Sequence, residues 1–243
     1  MERITSSQNP LLRHIRKLQT SRAYREEQRE FVADGFKLLD EAIKWYPKIR
    51  TVIVSDPQTL PALPDGVRCV QIPESLMQSL SDMKTPQGVI FTCELPAQED
   101  AQATPGMLLL DRIQDPGNLG TILRTADAFG VPVVLTNGCA DPWSEKTVRA
   151  SMGAVFRTVP KQIAPERVLS SDVPIAATAL TPQAADLREV HLKDYLVVIG
   201  SEGQGVCREL LNASEKQIII PMQPRCESLN AAIAAAIVMW QMR

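Results

Sequence analysis

Apolar and polar positions alternate along this chain with two periods, and the period changes every ten residues or so. Leu11, Ile15 and Leu18 fall at helical spacing behind Pro10, which suits a first turn, so a helix is predicted over residues 10–29. Residues 31–35 form a short strand and turn. Residues 36–46 then read as an amphipathic helix with Phe36, Leu39, Ile43 and Tyr46 on one side. The β-branched run 49–54 is a strand, followed by a proline-rich loop over 60–66. A strand over 67–72, a helix over 74–83 behind Pro73, a turn over 85–88 and a strand over 89–93 complete the front half. Short strands alternating with helices predict a small α/β sandwich.

Residues 94–106 hold proline, alanine, glutamine and acids without a period, and a domain boundary is placed there: a first domain over 1–95, a linker over 96–106 and a second domain over 107–243. The apolar run Met107-Leu-Leu-Leu-Asp111 predicts a buried parallel strand. A helix follows Asn118 with Ile122, Ala126 and Phe129 turned inward, and Gly130 is its stop. Residues 131–136 are a strand whose Pro132 calls for an edge or a first position. Another helix is expected from Asp141 through Met152, where Ser151-Met-Gly-Ala154 is small enough for a close approach. Strands are expected over 175–179, 195–199 and 217–221, the last closing the sheet. A final helix over 229–242, with Ser228 as N-cap, carries five alanines between Ala231 and Ala236. So little bulk predicts backbone-close packing, in the interior or at a dimer seam.

Composition narrows the function classes. A length of 243 residues fits one large domain or two small ones, and a net charge of −2 gives no overall field for a polyanion. Nucleic-acid binding would need a local patch, and one exists: Arg13, Arg16, Lys17, Arg22 and Arg25 follow Asn9 with no acid among them. This run is either a solvated helix face or an arm that contacts phosphates, with Arg13 and Lys17 one turn apart on a shared face. Five cysteines with no C-x-x-C spacing indicate neither a disulfide framework nor a zinc site. His14 and His191 are too far apart in sequence to suggest a histidine metal site. The charged start is unlike a signal peptide, and the alanine-rich end is too short to cross a bilayer. A cytoplasmic protein without a membrane partner is expected.

Three glycine- or proline-containing turns follow apolar runs: Asp115-Pro-Gly-Asn118-Leu-Gly120, Gly200-Ser-Glu202-Gly203-Gln-Gly205, and the stretch from Met222 to Asn230. A buried strand that ends in such a turn and reopens as a helix leaves backbone N–H groups at the sheet edge, where α/β folds hold cofactors. The glycine spacing is not G-x-G-x-x-G, which makes a nicotinamide oxidoreductase a poor reading, and neither a phosphate-binding P-loop nor a G-x-S-x-G elbow is present. Taken singly, the turn at Asp115 caps a helix, Glu202 and Ser228 are helix caps, Asn230 is a loop amide and Arg124 is a surface arginine.

Together the turns are specific. The stretch from Asp115 through Asn118, Gly120 and Arg124 to Gly130 resembles the first motif of the SpoU (TrmH-type) RNA ribose methyltransferases. Gly200 to Gly205 is similar to their second motif, and Ile220-Pro-Met222 followed by Glu227-Ser228-Leu229-Asn230 to their third. Residues 7–88 look like the ribosomal-protein-L30-like substrate-binding domain of the rRNA-directed members. Two departures stand out: Pro224 replaces a usual glycine of the third motif, and Ala33-Asp34-Gly35 stands where a Glu-Gly pair is usual.

The resemblance implies an α/β protein: a small L30-like α/β/α domain before a SPOUT parallel-sheet domain with a C-terminal trefoil knot. It implies S-adenosylmethionine as cofactor, a homodimer formed through the second domain, and methyl transfer to a ribose 2′-OH of structured RNA, with 23S rRNA first. The alternatives are a tRNA substrate or an RNA-binding homologue without catalysis. Carried over by position, Gly200, Gly203, Ile220, Met222 and Leu229 hold the cofactor, with Thr178-Ala179-Leu180 beside them. Asn118, Arg124, Glu202, Ser228 and Asn230 form the catalytic set, and Arg13, Arg16, Lys17 and Arg22 contact RNA.

Overall fold

A computed structural model describes residues 1–97 and 101–243. In chain order the elements are β1 (Glu2–Arg3), α1 (Pro10–Thr20), α2 (Arg22–Gln28), β2 (Glu30–Asp34), α3 (Phe36–Trp45), β3 (Ile49–Val54), β4 (Arg68–Gln71), α4 (Glu74–Leu80) and β5 (Val89–Glu94). They continue with β6 (Leu108–Asp111), α5 (Pro116–Phe129), β7 (Val133–Leu135), α6 (Glu145–Ala150), α7 (Ala154–Arg157), β8 (Lys161–Gln162) and α8 (Pro165–Leu169). The last are β9 (Ile175–Thr178), β10 (Ala185–Asp186), β11 (Leu196–Gly200), α9 (Arg208–Ala213), β12 (Lys216–Ile219) and α10 (Ala231–Gln241). The chain divides into two compact units, Met1–Ala97 with Trp143–Arg157, and Gln98–Pro142 with Thr158–Arg243.

The first unit is built on a five-stranded sheet, β1-β4-β3-β5-β2, parallel from β1 to β3 and antiparallel across β5. Alternation along the strands supplies two apolar faces. Val32, Ile53, Val70 and Ile90 meet Leu12, Ile15 and Leu18 of α1 and Met77 and Leu80 of α4. The expected helix over 10–29 is two helices, broken at Ser21, whose extended backbone ends α1 and whose hydroxyl caps α2. Arg25 explains the break. Its guanidinium is buried and donates to the carbonyls of Leu18 and, at 3.3 Å, Gln19, acceptors that the end of α1 leaves open. In α3 the buried face is Leu38, Leu39 and Ala42, with Tyr46 just beyond, so Phe36 and Ile43 flank the stripe rather than centre it.

Residues 143–157 were expected in the second domain and pack instead in the first unit. The reason is aromatic: Trp143 lies 4.8 Å from Phe31, and Phe156 lies 5.8 Å from Tyr46, ring centre to ring centre. The expected helix over 141–152 begins only after Ser144, whose hydroxyl caps α6. The close approach read from Ser151-Met-Gly-Ala154 is real. A Cβ on Gly153 would sit 2.8 Å from Cγ of Glu41, which also pairs with Arg157.

The second unit carries a seven-stranded sheet, β10-β12-β9-β11-β6-β7-β8, parallel throughout. Leu108, Leu109 and Leu110 are fully buried, which is what an apolar run without alternation requires. Two-residue strands are too short to show a period, so β8 and β10 were not foreseen. As a result β12 pairs with β10 and does not close the sheet, and β7 is interior, with Pro132 placed just before it. Within the expected linker, residues 98–100 lie outside the described residues. Ala101 is buried in the second core and donates its N–H to Gln162, so 101–106 belongs to this unit. Gly130 stops α5 with φ of 68°. The last helix starts later than expected: Asn230 caps α10 through Ala232 N–H at 2.9 Å and Ile233 N–H at 3.3 Å, and Ser228 is exposed. Its alanines Ala231, Ala232 and Ala235 are buried, and α10 packs along α5.

Candidate functional site

In the second unit, the C-terminal ends of β9, β11 and β12 open onto a cavity of about 380 Å³. That is within the ~300–1,000 Å³ of small-molecule sites. The Gly200–Gly205 turn forms one wall, Ile220, Met222, Ser228 and Leu229 another, and Thr178, Ala179, Leu180 and Thr181 a third. Backbone proximity makes this shape. A Cβ on Gly200 would lie 2.0 Å from the carbonyl carbon of Gly205, so the turn folds back onto its own strand end only because residue 200 has no side chain.

The turns place their polar groups in series. Asp115 caps α5 by accepting the Asn118 N–H at 2.8 Å. That fixes the Asn118 side chain, whose Nδ2 donates to Glu202 and whose Oδ1 accepts from Asn230 Nδ2 at 3.0 Å. The Oδ1 of Asn230 is itself engaged as the cap of α10. One residue from each of three turns thus sits in a single hydrogen-bonded chain, which ends on a carboxylate at the cavity wall.

All five residues expected to hold a cofactor line the cavity, and Glu202 and Ser228 line it too, whereas Asn118 and Asn230 reach it only through Glu202. Arg124 does not line it. It is six residues on from Asn118, about 9 Å along α5 and 120° around it, exposed, and without a hydrogen bond or ion pair to any described residue. In the first unit, Arg13 and Lys17 are exposed on one face of α1, the Lys17 ammonium 5.4 Å from the Tyr24 ring centre. Arg16 donates to the carbonyl of Ser7 at 3.1 Å, and Arg22 pairs with Glu26 at 2.9 Å. The basic run is therefore narrower than the sequence suggested, because its acid partner lies just beyond it.

Sequence reasoning passed over Asp111 and Arg112. Asp111 is buried at the end of β6 and accepts from Thr136 Oγ1 at 3.0 Å and from the Cys207 N–H at 2.7 Å. An acid that ends a fully apolar strand was the available signal. Burial pushes the Cys139 and Cys207 thiols up, so neither is an activated thiolate. Among the described residues no group of histidines, cysteines and acids could hold a metal ion.

Residues 105–240 match the SpoU rRNA Methylase family, and residues 9–90 match the MRM3-like substrate binding domain. The chain is 32% identical, over the full length of both proteins, to the 23S rRNA (guanosine(2553)-2′-O)-methyltransferase RlmP of Bacillus subtilis. It is 30% identical to the mitochondrial rRNA methyltransferase 3 of Homo sapiens, over 91% of this chain and 69% of that protein. The crystal structure of an AdoMet-bound rRNA methyltransferase from Sinorhizobium meliloti superposes with a TM-score of 0.88 at 31% identity, covering 100% of this chain and 97% of the other.

Proposed function

The chain belongs to the SpoU rRNA methylase family, and from that premise we propose that it methylates a ribose 2′-OH of ribosomal RNA with S-adenosylmethionine as cofactor. The observation that carries this reading is the chain from Asn230 through Asn118 to Glu202, which joins three turns and ends on a carboxylate at the cavity wall. The cavity suits the cofactor. Ile218, Ile220, Leu211 and Leu229 offer apolar walls to a flat ring, while the Gly200–Gly205 backbone and Thr181 offer polar partners.

S-adenosylmethionine supplies, when bound, a methyl group on a positively charged sulfur, and the protein's part is position and charge. Gly200, Gly203, Ile220, Met222 and Leu229 hold the cofactor. Glu202, oriented by Asn118, presents a carboxylate that accepts the hydrogen bond of the target hydroxyl. Ser228 and Asn230 orient the nucleotide. Arg124 stays protonated, as guanidinium does in proteins. It clamps a backbone phosphate and stabilises the oxygen as negative charge develops. Arg13 and Lys17, with Arg16 and Arg22 beside them, meet the phosphates of the structured RNA, whose shape and exposed loops supply specificity.

The same reading includes a homodimer, a knotted C-terminus and a cytoplasmic site of action. The support for a dimer is the outer face of α10, where Ile233, Ile237 and Trp240 follow one another at helical spacing and are 54%, 39% and 66% exposed. The support for a knot is membership of the family alone. Five free cysteines suit a reducing compartment, and no described helix is long and apolar enough to cross a membrane.

The test is methylation of unmodified total RNA with tritiated S-adenosylmethionine, followed by fractionation and digestion to nucleosides. A labelled 2′-O-methylnucleoside from 23S RNA is the expected result. Label in tRNA would overturn the substrate and leave the chemistry, and label on a base would overturn the assigned roles of Asn118 and Arg124.

A further inference from the structure

Arg112 is unusual in two ways. It holds a left-handed backbone with φ of 57°, which an arginine adopts only when its surroundings require it. Its side chain also reaches across to the glycine-rich turn. Nη1 donates to Oε1 of Gln204 at 3.1 Å and Nη2 to the carbonyl of Gly205 at 3.4 Å. The base of this side chain is fixed on every side. Its N–H donates to Thr136 Oγ1 at 3.2 Å, its Nε to Asp111 Oδ2 at 3.3 Å, and a Cβ on Gly138 would lie 3.2 Å from its Cγ. Asp111 in turn holds the far end of the same turn through the Cys207 N–H. Gln204 and Gly205 line the cavity, while Arg112 does not.

We propose that Arg112 is a positioning residue for the cofactor: with Asp111 as its anchor, it latches the turn over residues 201–207 in the shape that receives S-adenosylmethionine. This rests on the family reading of the cavity. Besides Arg112, the turn is held near its start by Asn118 Nδ2, which donates to Glu202, and internally by the Gly205 N–H on the Ser201 carbonyl at 2.9 Å and the Gln204 N–H on Ser201 Oγ at 3.3 Å, so Arg112, with Asp111 at Cys207, is the side chain that holds its second half. Glycines at 200, 203 and 205 leave the unlatched backbone many conformations. A latched turn loses less freedom on binding, so the latch acts on cofactor affinity more than on turnover. The fork matters as well as the charge, because two separate acceptors on the turn are engaged at once.

The experiment measures S-adenosylmethionine binding by equilibrium dialysis for the wild type, Arg112→Ala, Arg112→Lys, Gln204→Ala and the Arg112→Ala/Gln204→Ala double variant. Amide exchange of the cofactor-free proteins is followed in parallel. Loss of two hydrogen bonds from a charged donor predicts an affinity loss of about tenfold for Arg112→Ala. KM for the cofactor should rise in step, and kcat should stay within about twofold. Lysine should not restore affinity. The double variant should be no weaker than Arg112→Ala, because both changes remove the same contact. Residues 202–206 should exchange faster in the cofactor-free variant while the β-strands do not. Unchanged affinity, unchanged exchange, or a fall in kcat at constant KM would each overturn the latch. A wild type that binds no S-adenosylmethionine would overturn the family reading and the latch together, whereas a wild type and Arg112→Ala that bind equally would overturn the latch alone.

Discussion

Asn118 engages both ends of its side-chain amide, giving a hydrogen bond to Glu202 and taking one from Asn230. Alanine there would leave a carboxylate without its donor, a loss worth about 1.5–3 kcal/mol for a bond to a charged group. Asn118→Ala should therefore lower kcat by about 10- to 100-fold with cofactor affinity nearly unchanged, as single-turnover methylation would show. A larger effect on cofactor binding than on turnover would move Asn118 out of the catalytic set. Arg124→Lys separates charge from fork geometry at the exposed arginine. Activity should fall at least tenfold if a phosphate is held by two parallel bonds, and full activity would argue for a point charge alone. The meeting of Asn118, Glu202 and Asn230 was legible because the motif fixes residue type and spacing together. Asp111 and Arg112 were not, because their role depends on which loop folds back over the end of β6, and no local pattern records a contact 92 residues away.

Between elements, the informative case is Glu145 at the first turn of α6. It is buried, one of its carboxylate oxygens has no hydrogen-bond partner among the described residues, and its pKa is pushed up to about 7. Burial is the main cause, the Asp82 and Asp34 carboxylates add to it, and Arg149 opposes it. The folded protein thus holds a proton that the unfolded chain releases near 4.5. The stabilising preference for the protonated form is full below that value and is lost as pH rises through about 7. Asp34, also raised by burial, acts in the same direction. Glu145→Gln should leave stability near pH 4 almost unchanged and raise it by on the order of 3 kcal/mol at pH 8, measured by denaturant unfolding at both values. An equal effect at both would exclude the titration as the cause. Alternation and helical spacing revealed most elements, but not this one's allegiance. Trp143 and Phe156 look like ordinary core residues of either domain until their partners, Phe31 and Tyr46, are known.

At the scale of the whole molecule, α10 is apolar all round, and a helix of that kind belongs in an interior. Ala231, Ala232, Ala235, Val238 and Met239 meet this rule, yet Ile233, Ile237 and Trp240 stay exposed on the single chain. The alanine-rich composition signalled close packing, which α5 provides, but could not divide the helix into a face for α5 and an exposed stripe. A symmetric dimer would cover the remaining stripe with the same stripe. Sedimentation equilibrium should then give twice the chain mass at micromolar concentration. Ile237→Asp should give the single mass, with its circular dichroism retained because the side chain is 39% exposed. Trp240 makes a poorer probe, since its ring lies 5.8 Å from Phe129 and its loss would disturb the chain's own packing. A monomeric wild type, or an Ile237→Asp variant that stays dimeric, would place the dimer seam elsewhere or remove it, and would leave the exposed stripe to a different partner.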